Sequence, residues 1–251
     1  MEVLDILLVV GAGFAAGFIN TVAGGGSLVS LPVLIFLGLP PAVANASNRV
    51  AIFSQNIFGA LGFKSKGVSA YPFSLWLGLS ALVGAVIGAK IAVDIPEDLF
   101  NKLLAVIMLV VVVFIVRKSI RKGSDELLER MGTKHQFISI FLFFFVGIWG
   151  GFIQAGVGFL IIMVLTSVNR FSLVKTNSAK VVIVLIYTSA ALVVFILEGT
   201  INWGYGVLLA VGNSGGAWVA SRWSVEKGDR WVMAILVVAV VAMATKLWFL
   251  E

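Results

Sequence analysis

Two basic residues, Arg49 and Lys180, stand inside long apolar stretches of this 251-residue chain. Arg49 follows Pro41 by eight residues and Lys180 follows Ser172 by eight. Each is therefore about 12 Å into its helix, near the middle of a hydrocarbon core whose half-thickness is about 15 Å. A cation at that depth costs on the order of 3 kcal/mol, and no acidic residue of the apolar segments lies equally deep. We predict that a bound anion supplies the missing negative charge.

The polar residues just before Arg49 leave a second interpretation open. If both helices begin later than the apolar pattern indicates, the two cationic side chains extend to the membrane interface, as lysine and arginine often do. Asn45, Ser47 and Asn48 make such a late start feasible for Arg49.

Glycine runs interrupt the apolar pattern at residues 24–26 and 156–158. Glycine permits a sharp chain reversal and a close backbone approach. The N–H groups at the start of the following helix lack intrahelical partners and carry the positive end of the helix dipole. Both breaks are therefore predicted anion sites.

Other glycines recur at a spacing of four residues, Gly13 with Gly17 and Gly84 with Gly88. This pattern of small residues is typical of helices that pack closely in a membrane. We predict a packing role for these four.

Neutral polar residues flank the breaks and the cations. Amides and hydroxyls can donate hydrogen bonds to an oxyanion, although many membrane amides only bridge helices. The predicted anion-binding set is Asn20, Gly24, Gly25, Gly26, Ser27, Asn48, Arg49, Gln154, Gly158, Asn177, Ser178 and Lys180.

The composition indicates a helical membrane protein. The chain is 60% hydrophobic and 12% charged, with a mean hydropathy of +1.09, whereas soluble domains are about a quarter charged. Its basic residues lie in short connectors and form no surface stripe, which argues against nucleic acid as a partner. It has no cysteine and one histidine, His135, so we expect no metal, no cofactor and no enzyme chemistry.

The apolar pattern divides the chain into ten segments, and their continuous rather than alternating runs exclude strands. They cover residues 3–22, 27–38, 41–63, 71–92, 99–116, 136–153, 158–168, 172–197, 203–221 and 231–249. A helix of about 12 residues reaches only about 18 Å, so the second and seventh segments are predicted half-helices, either spanning in part or re-entrant.

An internal repeat relates the two halves of the chain. Gly13, Gly17, Phe18, Ile19 and Gly24 match Gly147, Gly151, Phe152, Ile153 and Gly158, with Asn20 opposite Gln154. Further on, Ser47, Arg49, Val50 and Ile52 match Ser178, Lys180, Val181 and Ile183, and Gly84, Ala85 and Lys90 match Gly216, Ala217 and Arg222.

Each half holds five segments, an odd number, so the second half enters the membrane from the opposite face. We predict one transmembrane domain, 1–251, with repeat one at about 1–117, a cytoplasmic connector at about 118–135 and repeat two at about 136–251. Inverted repeats with broken helices are typical of transporters. The basic connectors fall on one side, which is cytoplasmic by the positive-inside rule, so both termini are predicted outside a multi-pass inner membrane protein.

Residues 11–50, GAGFAAGFINTVAGGGSLVSLPVLIFLGLPPAVANASNRV, resemble the TauE/SafE family, also called the sulfite exporter family. The likeness lies in the spaced glycines, the glycine break, Pro32, the connector at 37–41 and the Asn-rich run at 44–48. It continues through LVGAVIGAKIAVDIPEDLFNKLLAVIML at 82–109 and extends across the second half. The resemblance implies a secondary transporter that exports small sulfur-containing anions such as sulfite, thiosulfate or sulfoacetate.

Other classes of protein remain as alternatives at this point. An anion channel would tolerate the same half-helices. A membrane enzyme would need catalytic groups in a cavity, and a structural membrane protein would not need the two cations. The partners that we expect are a small anion and the lipid bilayer, and a homo-oligomer is left open.

Overall fold

The computed structural model describes residues 3–96 and 129–228, together with positions 99, 102, 103, 106 and 231. Within these residues every regular element is an α-helix. In chain order the helices are α1 (Val3–Val22), α2 (Ser27–Phe36), α3 (Pro41–Ser65), α4 (Phe73–Asp94), α5 (Thr133–Phe152), α6 (Val157–Ser167), α7 (Leu173–Leu197) and α8 (Trp203–Lys227). The predicted segments 99–116 and 231–249 lie almost wholly outside the described residues.

Four of these helices, α1, α4, α5 and α7, are long and apolar enough to cross a membrane. The helices α3 and α8 have 25 residues each but do not reach this hydropathy, because they carry polar residues such as Arg49, Gln55 and Asn213. These side chains are buried inside the protein. The all-α membrane class is confirmed for the described residues, whereas the domain and repeat boundaries stay predictions.

The starts of α3 and α7 set the depth of the two cations. Pro41 is the first residue of α3, a position where the missing N–H of proline costs nothing. Ser172 is the N-cap of α7, and its hydroxyl accepts a hydrogen bond from the Lys175 N–H at 3.2 Å, as a capping serine does. Both helices therefore begin where the sequence predicts, and a late start is excluded.

The helices α2 and α6 have 10 and 11 residues, which at about 1.5 Å per residue is too short to cross the core. The prediction of two short helices is confirmed. The start of α2 lies beside α1, because a Cβ on Gly26 would collide with the Ala16 carbonyl and lie 2.5 Å from the Asn20 Cβ.

Spaced glycines bring α1 against α8. A Cβ on Gly13 would lie 2.8 Å from the Leu209 carbonyl oxygen, and one on Gly17 would lie 2.7 Å from the Asn213 Cα. Gly147 and Gly151 of α5 meet the Ala81 and Ala85 carbonyls of α4 in the same way, and Gly84 and Gly88 meet those of Phe144 and Ile148. The packing role predicted for Gly13, Gly17, Gly84 and Gly88 is confirmed.

These contacts correct one match within the repeat. On α8, Gly212 and Gly216 meet the carbonyls of Val10 and Phe14, the α1 positions that correspond to Phe144 and Ile148. The contacts therefore place Gly212 with Gly84 and Gly216 with Gly88, one helical turn from the match of Gly84 to Gly216. The sequence match was wrong because glycines at a spacing of four align equally well after a one-turn shift.

Candidate functional site

Arg49 lies at the end of α5, at the second break. Its side chain is fully buried. The guanidinium donates to the carbonyl oxygens of Gly150, of Gly151 at 2.9 Å and of Phe152 at 3.2 Å, and to Gln154 Oε1 at 2.6 Å. A cation from the first half of the chain thus caps the carboxyl-terminal end of a helix in the second half.

Lys180 does the same at the first break. The side chain is 2% exposed, and its ammonium donates to the carbonyl oxygens of Asn20 at 2.8 Å and Thr21 at 3.0 Å and to Asn177 Oδ1 at 2.7 Å. These are three acceptors for the three donors of an ammonium group.

An asparagine one turn before each cation completes both arrangements. Asn45 Oδ1 accepts from Arg49 at 3.3 Å while its amide nitrogen donates to the Phe152 carbonyl at 2.8 Å. Asn177 accepts from Lys180 and donates to the Val22 carbonyl at 2.8 Å. Each break is therefore held by one cation and one asparagine of the other half.

The cations bind here because each break is the carboxyl-terminal end of a helix. The last carbonyls of a helix have no intrahelical donor and carry the negative end of its dipole. The sequence did not indicate these carbonyl partners of Arg49 and Lys180. No carboxylate is within ion-pair distance of either among the described residues, so two positive charges remain without a formal counter-charge.

The two breaks touch each other. A Cβ on Gly24 would lie 2.5 Å from the Gly158 carbonyl carbon, so the two backbones are in direct contact. Gly24 has φ of +91° and Gly156 has φ of +75°, conformations that favour glycine. The structure thus brings together the glycines of both predicted breaks.

The turns that lead into α2 and α6 present buried N–H groups. The first backbone hydrogen bond of the α2 turn runs from the Leu28 N–H to the Gly25 carbonyl oxygen at 3.0 Å. Among the described residues the N–H groups of Gly25, Gly26 and Ser27 have no acceptor. Such groups are suited to an anion.

The side chain of Asn48 holds the start of α2. It donates to Ser27 Oγ at 3.3 Å and accepts from Ser30 Oγ at 2.8 Å. Ser178, by contrast, donates to the Val68 carbonyl at 3.2 Å in the connector after α3, so the structure does not bring Ser178 to the breaks.

Asn20 and Gln154 lie at equivalent ends of α1 and α5 but are bonded differently. Gln154, at φ of +67°, accepts from Arg49 and from the Tyr187 hydroxyl at 3.1 Å. The side-chain amide of Asn20 makes no hydrogen bond within the described residues. The first break therefore retains an unused amide.

The set of site residues predicted from the sequence did not include four polar residues of this region, Asn45, Gln55, Tyr187 and Asn213. All four are buried, and the available signal was an amide or a phenol inside an apolar segment. No group of three potential metal-ligating side chains occurs among the residues described here.

A bundle of apolar helices with two buried broken-helix ends defines a polytopic membrane protein. The family model of the sulfite exporter TauE/SafE matches residues 9–247. The chain belongs to this family and is a membrane transporter of it.

Relatives in bacteria cover nearly the whole chain. A "Probable membrane transporter protein" of Haemophilus influenzae is 24% identical over 99% of this chain and 98% of that protein. "Probable membrane transporter protein ORF9" of Sinorhizobium is 25% identical over 94% and 89%, and "Probable membrane transporter protein YfcA" of Escherichia coli K12 is 26% identical over 93% and 86%. No solved structure matches the chain.

Proposed function

We propose that this protein is a secondary transporter that exports small sulfur-containing or organic anions, such as sulfite, thiosulfate or sulfoacetate, across the inner membrane. The observation that carries the proposal is the pair of buried cations, each bonded to carbonyls of a broken helix and to no carboxylate among the described residues.

The anion site lies where the two breaks meet. Arg49 and Lys180 supply the positive field, and the N–H groups of Gly25, Gly26 and Ser27 supply donors. Every donor of Lys180 is already used, so the cation acts on the anion mainly through its field. Direct contacts come from the break N–H groups and from the Asn20 and Gln154 amides.

The reciprocal arrangement supports transport by alternating access. Each half holds the helix end of the other half, as expected for two inverted repeats that rock against each other around a central site. The start of α2 beside Ala16 supports a re-entrant path for this short helix. The close contact between Gly24 and Gly158 favours a carrier over an open channel.

Anion flux in proteoliposomes tests the proposal. Lys180→Met and Arg49→Met each remove one charge while keeping a long side chain. We expect flux of sulfite or thiosulfate to fall by about 30-fold or more, because a buried charge interaction is worth roughly 2 kcal/mol or more.

The matched control is Lys175→Met, which removes a cation of the same helix that pairs with Glu129 at 2.5 Å outside the breaks. Its flux should stay within about twofold of wild type. Undiminished flux in both Arg49→Met and Lys180→Met would refute the site, and unitary conductance steps would identify a channel instead.

A further inference from the structure

A pair of buried amides, Gln55 on α3 and Asn213 on α8, lies beside the first break. Gln55 is 1% exposed and Asn213 is 2% exposed. The Asn213 amide nitrogen donates to Gln55 Oε1 at 3.1 Å. Gln55 Nε2 and Asn213 Oδ1 have no partner within the described residues.

The unused atoms do not depend on how the amides are oriented. Amide nitrogen and oxygen are assigned from the hydrogen-bond network. Turning both amides over keeps one hydrogen bond between them and again leaves one amide nitrogen and one carbonyl oxygen unpaired. The pair therefore offers one unpaired donor and one unpaired acceptor.

The location of the pair is fixed by contacts on two sides. A Cβ on Gly17 would lie 2.7 Å from the Asn213 Cα, and Gly17 is one turn before Asn20 on α1. A Cβ on Gly59 would lie 3.2 Å from Val181 Cγ1, next to Lys180, and Gly59 is one turn after Gln55. The amide pair thus lies between the helices that carry Asn20 and Lys180, and Asn213 Oδ1 would be 3.2 Å from a Cβ on Gly13, two turns before Asn20.

The fold itself does not require this pair. At the contact between α5 and α4, Gly151 meets the Ala85 carbonyl as Gly17 of α1 meets that of Asn213 on α8, so alanine occupies the corresponding place. The match of Arg49 to Lys180 places Ile186 opposite Gln55. The helices α7 and α4 thus carry apolar residues at the places where α3 and α8 hold polar groups, which cost free energy when unpaired.

We infer that the amide pair is a specificity-determining part of the anion site, and that it selects a small oxyanion that still carries one proton. This rests on the proposed function. Gln55 Nε2 donates to an anionic oxygen of the ligand, and Asn213 Oδ1 accepts the hydrogen bond of its remaining hydroxyl. A fully ionised anion would place an oxygen lone pair against Asn213 Oδ1, which is repulsive.

Four helices surround the pair: α1, α3, α7 and α8. Among their described residues, no charged side chain is placed to take the proton from the ligand. The buried ones are Arg49 and Lys180, both bonded to break carbonyls, and the others are Asp5, Lys64, Lys175, Arg222, Glu226 and Lys227 near helix ends. Tyr187 is bonded to Gln154 at the other break, and Tyr205 lies in the first turn of α8. Among the described residues of these four helices no buried carboxylate or imidazole can take the proton, and the Lys180 ammonium already donates to three acceptors, so the proton crosses on the substrate.

The test compares sulfite, whose second ionisation falls near neutral pH, with methanesulfonate, which carries no proton, in wild-type proteoliposomes. We expect the sulfite flux at fixed total concentration to fall by about tenfold per pH unit above that ionisation, and the sulfonate flux to stay low at every pH.

The double variant Gln55→Met with Asn213→Leu replaces both amides by apolar groups of similar size, a change that often preserves folding. We expect it to flatten the pH profile and to reduce the preference for sulfite over methanesulfonate. Ser54→Ala with Ser214→Ala, which removes the neighbouring hydroxyl pair joined at 2.7 Å, should keep the wild-type profile.

The outcomes separate the two proposals. Flux of both anions without a pH-dependent preference, or an unchanged profile in the amide variant, overturns the amide pair but keeps the transporter. Absence of any anion flux in wild type overturns the proposed function and this inference with it. Should the double variant fail to fold, the wild-type pH profile is the test: a sulfite flux that does not fall above the second ionisation would overturn the inference.

Discussion

At the scale of residues, the unusual feature is a cation that serves as the cap of another helix. Arg49 and Lys180 each meet the carbonyls that a broken helix leaves unpaired, and an asparagine adds a further bond. The position of both cations along their helices followed from the sequence because the helix starts at Pro41 and Ser172 carry local signals. The acceptors of these cations could not be predicted, because every residue has a backbone carbonyl and the sequence does not distinguish the ones that accept.

Removal of Asn177 should weaken the first break. In Asn177→Leu the Val22 carbonyl loses its donor and Lys180 loses one acceptor. We expect the free energy of unfolding to fall by about 1–3 kcal/mol, as for other buried groups left unpaired. Steric-trapping or denaturant unfolding in detergent measures it. Ser189→Ala, which removes one bond within the same helix, should change it by less than about 1 kcal/mol, and equal losses in both variants would contradict this role.

At the scale of elements, the breaks are the feature that the rest of the fold is arranged around. The two short helices were predictable because their apolar runs cannot cross a membrane and follow glycines. The contact between the breaks was not, since nothing near Gly24 in the sequence refers to Gly158. The register of α8 against α1 was also beyond prediction, because glycines repeat at one-turn intervals there.

The contact between breaks can be separated from backbone strain with two glycines. Gly24 and Gly38 have nearly equal φ of +91° and +88°, but a Cβ on Gly38 meets nothing within 4 Å. Gly38→Ala should therefore cost about 1–2 kcal/mol of stability from conformation alone.

Gly24→Ala should cost a further 1–3 kcal/mol or so, because its Cβ overlaps the Gly158 backbone. Thermal unfolding with matched detergent and lipid measures both variants. Similar destabilisation by Gly24→Ala and Gly38→Ala would show that the two breaks are not in close contact.

At the scale of the whole molecule, two halves exchange contacts through their broken helices, and their basic connectors are predicted to share one side of the membrane. The exchange of contacts is what inverted repeats would give, and the location of both termini outside stays a prediction. Composition was enough to predict a membrane protein, and connector charge was enough to predict which side of the membrane each connector faces. The asymmetry between the two equivalent helix pairs, with Gln55 and Asn213 on α3 and α8 but Ile186 and Ala85 on α7 and α4, could be found only from the packing contacts.

Topology can be tested in a chain that has no cysteine. Single variants Lys66→Cys and Lys134→Cys should react with an impermeant maleimide only from the cytoplasmic side, and Asp94→Cys and Glu198→Cys only from outside. Spheroplasts and inverted vesicles provide the two orientations, with the cysteine-free chain as the control. Reaction of Lys66→Cys and Glu198→Cys from one common side would contradict the predicted sides.

The most direct test of the central claim, that two helix-bound cations hold an anion where the breaks meet, is ligand-induced thermal stabilisation of the purified protein. At a sulfite concentration about 100 times the dissociation constant we expect the free energy of unfolding to rise by about 2.7 kcal/mol. Dimethyl sulfone, which presents two sulfur-bound oxygens without charge, should give no rise. The gain should vanish in Lys180→Met and persist in Lys175→Met. Equal stabilisation by the neutral sulfone, or an undiminished gain in Lys180→Met, would contradict the claim.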